Sequence, residues 1–132
     1  MQAHPMLKLA PSALIPWDRA KALEALDGDE HLLYAIVQIF LEESPKQLAK
    51  LKRAVTEKNA ELLERTAHSL KGELSYLGMP AVSQRARELE QMGRDCDLER
   101  ASEVLAIFEA EVSAVIANMR SMPAAKLETV AR

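Results

Sequence analysis

At 132 residues the chain has the length of one domain with a real core, and its 48% apolar and 28% charged residues suit a globular protein, not a disordered tail. Aromatic residues are only 4%, while Leu, Ala, Glu, Lys and Arg dominate, which favours helix over strand. A formal net charge of −3 gives no electrostatic reason to expect nucleic acid or an anionic membrane surface as partner. There is no run of about 18 apolar residues and no charged n-region followed by an apolar h-region, so neither a membrane span nor a signal peptide is expected. Cys96 is the single cysteine and forms no internal disulfide, which fits a reducing, cytoplasmic setting.

In chain order, "MQAHPMLKLAPSALIP" holds three of the six prolines and no sustained period, so residues 1–15 read as an extended lead-in or linker, with His4 incidental. A short helix follows through "WDRAKALEAL" and stops at "DGD", where Gly28 supplies a left-handed stop and Asp29 caps what comes next. "EHLLYAIVQIFLEE" gives a second helix with an apolar stripe of Leu32 or Leu33, Ile36, Ile39 and Phe40. In "SPKQ", Ser44 as N-cap, Pro45 at the first helical position and Gln47 as capping-box partner predict a helix restart, carrying Leu48, Leu51 and Val55. Asn59 caps the helix that contains "ERTAHSLKGELSYLG", and in "GMP" a terminal Gly78 is followed by a Pro80 suited to a new first turn. The helix "AVSQRARELEQMG" follows, and Asp97 is placed to cap a last one with Val104, Leu105, Phe108, Val112, Val115 and Met119 at helical spacing. Pro123 ends it, leaving residues 123–132 as a loose tail. Short connections between helices argue for antiparallel neighbours, hence an all-α, up-and-down bundle over 16–122.

Within "ERTAHSLKGELSYLG", successive residues turn by roughly 100°, so Leu63, Ala67, Leu70, Leu74 and Leu77 form one core stripe. His68, Gly72 and Ser75 then lie about 140°, 160° and 120° from its centre, on the solvent face. Residues four apart are neighbours on a helix, so Gly72 sits on one side of His68 and Glu64 on the other, with Lys71 close by. An exposed mid-helix Gly costs about 1 kcal/mol relative to Ala, which suggests that something must come close to the backbone there. An imidazole, with an intrinsic pKa near 6.5, is a competent nucleophile at neutral pH, and a lysine neutralises phosphoryl oxygens as a point charge. From geometry alone, a plain surface histidine beside an incidental glycine is an equally good reading.

"AHSLKGELSYLG" resembles the signature of histidine-containing phosphotransfer (HPt) domains, roughly Ala-His-x-Leu-Lys-Gly with a further Gly five or six residues on. "DEHLLYAIVQIFLEESPKQLAKLKRAV" is similar to the family's preceding helices and "QRARELEQMGRD" to its Leu-Glu-bearing helix, so the likeness spans about residues 17–119. The resemblance implies an antiparallel four-helix bundle with a short accessory N-terminal helix, whose histidine carries a phosphoryl group between receiver-domain aspartates. Carried over by position, His68 is the phosphorylated histidine, Lys71 the lysine that stabilises its phosphoryl group, and Gly72 the small residue that lets a receiver approach. Glu90 matches the Glu or Gln that bonds the second imidazole nitrogen. The turn near Met79 also lies midway between residues 68 and 90, which an antiparallel hairpin sets at one level. Glu73, Leu74 and Tyr76 stand where the family usually has small residues and often Asn; Leu74 points inward on the wheel, whereas Glu73 and Tyr76 lie on the flanks and bear on which receiver fits.

The chain is therefore expected to be a phosphocarrier without ATP-binding or kinase activity, since no Gly-rich phosphate loop, Ser-centred elbow or nucleotide signature is present. No resident metal or cofactor is expected; magnesium would belong to the partner receiver. His31 has no His-x-x-x-His or carboxylate cluster joining it to His68 and reads as a surface residue. Expected partners are response-regulator receivers and a hybrid sensor histidine kinase, with the chain a monomer. A rival reading is an HPt-like adaptor that binds receivers or kinases without being phosphorylated; a plain helical scaffold is a second.

Overall fold

The computed structural model describes residues 17–121. The lead-in, His4, Pro123 and the tail lie outside the described residues. Within them the chain is all-helical: α1 (Arg19–Ala25), α2 (Glu30–Thr56), α3 (Ala60–Tyr76), α4 (Pro80–Arg94) and α5 (Ala101–Arg120). Helices α3 and α4 share the most extensive interface, α2 packs on α3 and α5, and α5 closes against α4.

The helix starts follow local chemistry. The carboxylates of Asp18 and Asp29 and the amide of Asn59 each accept a hydrogen bond from the backbone N–H three residues on, at 3.0, 3.0 and 3.1 Å, satisfying donors a helix N-terminus leaves free. Gly28 and Gly78 both take φ of 77°, the left-handed turn that ends α1 and follows α3. Pro80 opens α4.

Two expected boundaries are absent. No helix restarts at Ser44: α2 runs unbroken for 27 residues through Pro45. Leu33, Val37, Phe40, Ser44, Leu51 and Ala54 are all buried along one continuous stripe, so packing holds the helix in register across a proline that withholds one backbone hydrogen bond. Ser44 is not a cap but a core residue whose Oγ has no hydrogen-bond partner among the described residues, and Gln47 bonds Glu73 on α3 instead of closing a capping box. The α2 stripe also differs in detail. Leu33 and Phe40 are inside, joined by Val37, while Ile39 and Leu32 are exposed. Nor does Asp97 cap the last helix. Residues 98–100 form a turn, with Ala101 N–H bonding the Leu98 carbonyl, and α5 starts after Arg100 without a side-chain cap.

The core stripes of α3 and α5 hold every expected residue. Ser83 and Arg85 are among the residues that brace α4 by polar links. Ser83 donates its hydroxyl to the Lys71 carbonyl at 2.9 Å, and Arg85 grips the buried Glu111 carboxylate through Nε at 3.2 Å and a terminal nitrogen at 3.0 Å. Trp17 Nε1 donates to the Leu77 carbonyl at 3.1 Å, pinning the start of α1 to the α3–α4 turn.

Gly93 sets the separation of α3 and α4. A Cβ there would stand 2.6 Å from the Ala60 carbonyl oxygen and 2.7 Å from the Glu64 nitrogen. Such distances to backbone atoms are below van der Waals contact, so only glycine fits this crossing.

Candidate functional site

His68, Lys71 and Gly72 stand on α3, and Glu90 and Arg94 on the facing side of α4. The His68 side chain is 66% exposed, yet its Nδ1 lies 2.7 Å from Oε2 of Glu90, whose side chain is only 4% exposed. The other Glu90 oxygen, Oε1, accepts a hydrogen bond from Lys71 Nζ at 2.8 Å. Arg94 donates to Oε2 at 3.0 Å and, through Nε, to Glu64 Oε2 at 3.1 Å. Two carboxylates and two cations thus surround one imidazole.

Burial works against the charge of Glu90, but hydrogen bonds from Lys71 and His68, followed by their charges, outweigh it and hold the carboxyl below its ordinary range. An ionised Glu90 can only accept, so the hydrogen between it and the ring sits on Nδ1. In the neutral ring this favours the Nδ1–H tautomer and leaves the lone pair on Nε2, which makes no hydrogen bond within the described residues. The ring atom that faces solvent without a partner among the described residues is thereby set by a buried group on the neighbouring helix.

Gly72 lies one turn beyond His68 and is exposed. A Cβ added there would meet nothing within 4 Å. The fold itself does not require this glycine, in contrast to Gly93. Ser75, next along this face, is exposed as well.

Of the remaining sequence candidates, Leu74 is fully buried, Tyr76 is exposed at the end of α3, and Glu73 is half-buried against α2. Glu73 Oε2 accepts a hydrogen bond from Gln47 Nε2 at 3.2 Å. Its carboxyl is pushed up by burial and by the nearby Glu43 charge, with the Gln47 bond opposing them. His31 is exposed near the start of α2, and Cys96 is exposed in the α4–α5 turn. Among the described residues no group of three or more His, Cys, Asp or Glu side chains could hold a metal ion, and no helix is long and apolar enough to cross a membrane.

Sequence reasoning missed Arg94 and the part played by Glu64. The signal was available. Residues 64 and 94, like 68 and 90, are centred on Met79, and Arg94 follows Glu90 by four residues on one helix face.

Residues 35–130 match the Hpt domain family. The chain belongs to that family. It is also similar to the phosphorelay intermediate protein YPD1 of Candida albicans (strain SC5314 / ATCC MYA-2876), with 26% identity over 94 residues, 70% of this chain and 51% of that protein. The aligned region spans about half the length of that relative. No solved structure is a significant match.

Proposed function

We propose that this protein is a phosphorelay intermediate, accepting a phosphoryl group on His68 from a receiver-domain aspartate and passing it to the aspartate of another receiver. The observation that carries this reading is the exposed His68 ring, with Nδ1 held by the buried Glu90 carboxylate and Nε2 without a partner among the described residues. Membership of the Hpt domain family supports it, as does the similarity to a protein named as a phosphorelay intermediate. The helices would form an up-and-down antiparallel four-helix bundle, α2 to α5, with α1 as the accessory helix. A domain over residues 16–122, acting in the cytoplasm on receivers and a hybrid kinase, completes the reading.

In the forward step the Nε2 lone pair attacks phosphorus. The bond from phosphorus to the aspartyl oxygen breaks, and its electron pair returns to the receiver's carboxylate. No proton needs to move: the hydrogen on Nδ1 stays, so the product is a phosphoimidazolium whose positive ring faces Glu90. In the return step the next receiver's carboxylate attacks phosphorus and the P–N pair goes back to Nε2, regenerating neutral imidazole. Lys71 neutralises phosphoryl oxygens during transfer. The receiver would bring the magnesium ion and most of the electrostatic stabilisation, while this chain contributes the positioned nucleophile and room for approach at Gly72.

The test is His68→Gln. The protein should fold, because an exposed side chain fills no core volume, and should take no label from a phosphorylated receiver, whereas the native chain gains an acid-labile, base-stable phosphoryl group. Undiminished labelling of the variant would exclude His68 as the acceptor.

A further inference from the structure

Glu90 holds two cations where one would balance its charge. Lys71 reaches Oε1 from α3 on a flexible stem, and among the described residues no other hydrogen bond or ion pair anchors its ammonium. Arg94 reaches Oε2, the oxygen shared with His68, and is fastened from the far side by Glu64. Glu64 in turn sits at a close approach of α3 and α4, its backbone facing Gly93 with no room for a Cβ between them. One cation is therefore held by a single carboxylate and the other by two.

We infer that Arg94 is a positioning residue that keeps Glu90 aimed at His68 Nδ1 after Lys71 has left for the phosphoryl group. This rests on the phosphocarrier reading, in which Lys71 cannot stay fully bonded to Glu90 and also neutralise the phosphoryl oxygens. When the phosphoryl group arrives, the ammonium is drawn to a dianion and Oε1 loses its partner. Without Arg94, a largely buried carboxylate would then face desolvation with only the imidazolium beside it. It would compete to take Lys71 back or let its carboxyl group turn away from Nδ1. With Arg94 locked between Glu64 and Oε2, the carboxylate keeps one cation through both states. The groups facing this cluster are Glu64, His68 and Lys71 from α3, and Glu90 and Arg94 from α4.

The inference predicts a defect confined to the phosphorylated state. In Arg94→Gln, the resting protein should keep the ¹⁵N NMR signature of the Nδ1–H tautomer of His68, because Lys71 still holds Glu90. The equilibrium with a phosphorylated receiver should move away from phosphohistidine by roughly three- to tenfold, the scale of one partly exposed charged hydrogen bond. Glu64→Gln should shift it in the same direction by less, and Arg94→Lys should recover part of the loss. Arg94 is 54% exposed at the last turn of α4, so the variants should fold. An unchanged equilibrium in Arg94→Gln would overturn the inference. So would loss of the Nδ1–H signature in the resting state, which would make Arg94 a general support of the site. If the native chain itself takes no phosphoryl group on His68, it is the phosphocarrier reading that fails.

Discussion

Two glycines inside helices of this protein should respond to the same substitution with opposite signs. At Gly72 a new Cβ meets nothing within 4 Å, so Gly72→Ala should gain helix propensity and stabilise the fold by up to about 1 kcal/mol, raising Tm by roughly 4–8 °C. At Gly93 the same atom stands 2.6 Å from the Ala60 carbonyl oxygen, 2.7 Å from the Glu64 nitrogen and 3.0 Å from its Cα. Backbone cannot rotate aside as a side chain can, so the helices must part by several tenths of an ångström. Overpacking of this kind costs about 1–3 kcal/mol, and contact with the unyielding backbone of the facing helix belongs at the upper end. Against a propensity gain of about 1 kcal/mol, the net loss for Gly93→Ala is about 2 kcal/mol, or roughly 10 °C in Tm. Circular dichroism melts and urea midpoints on the two variants measure both quantities. Function separates the sites further. Gly72→Gln should melt at or above the native temperature, yet accept phosphoryl groups more slowly from a phosphorylated receiver, with a smaller effect for small phosphodonors. A Gly93→Ala protein as stable as the native one, or a Gly72→Ala protein less stable, would refute the assignment of one glycine to packing and the other to access.

Lys71→Ala should still accept a phosphoryl group, because the nucleophile is intact, but more slowly or with a shorter-lived product; unchanged transfer rate and lifetime would remove Lys71 from the chemistry. Glu73 makes a prediction about pH. Its folded pKa lies above the ordinary carboxyl value of 4.5, so the native state binds the proton more tightly and stability falls as pH rises from that value through the folded pKa. Glu73→Gln should therefore be more stable than the native protein at pH 7 and lose that advantage in acid, as read from urea midpoints at the two pH values. A difference independent of pH would show that the Gln47 contact, not the charge, decides the effect.

The all-helical class and the orientation of His68 were readable because both rest on local periodicity. Leu63, Ala67, Leu70, Leu74 and Leu77 define the buried side of α3 without reference to any other helix. The caps at Asp29 and Asn59 and the left-handed glycines at 28 and 78 were readable for the same reason, since each is completed by residues within one turn. The Ser44-Pro45 boundary misled because a cap sequence is permissive: it allows a helix to begin but does not oblige the previous one to stop. Whether it stops depends on the stripe behind it, and here Phe40, Ser44 and Leu51 stay in line. Gly93 was invisible for a different reason, since no local pattern marks the point where two backbones cross.

The site itself shows how far a hairpin extends that local reading. Once α3 and α4 are joined at a turn centred on Met79, every pair of residues equidistant from it is brought to one level. That rule places Glu90 beside His68, and applied once more it places Arg94 beside Glu64. What it leaves open is which of several polar side chains will share a partner. Glu90 has two oxygens, and three groups contact them: Lys71 on Oε1, His68 and Arg94 on Oε2. Burial of the carboxylate favours all three in the resting protein, because a charge removed from water is stabilised by every donor within reach. The exposed imidazole is thus oriented by the least exposed group of the cluster. Glu90→Gln should consequently loosen this end of the hairpin: an amide offers one acceptor oxygen for three donors, so Lys71 or Arg94 must give up its bond. Hydrogen exchange at the backbone amides of residues 90–94 measures that loosening, and protection equal to the native protein's would show that the carboxylate orients His68 without also fastening the helices.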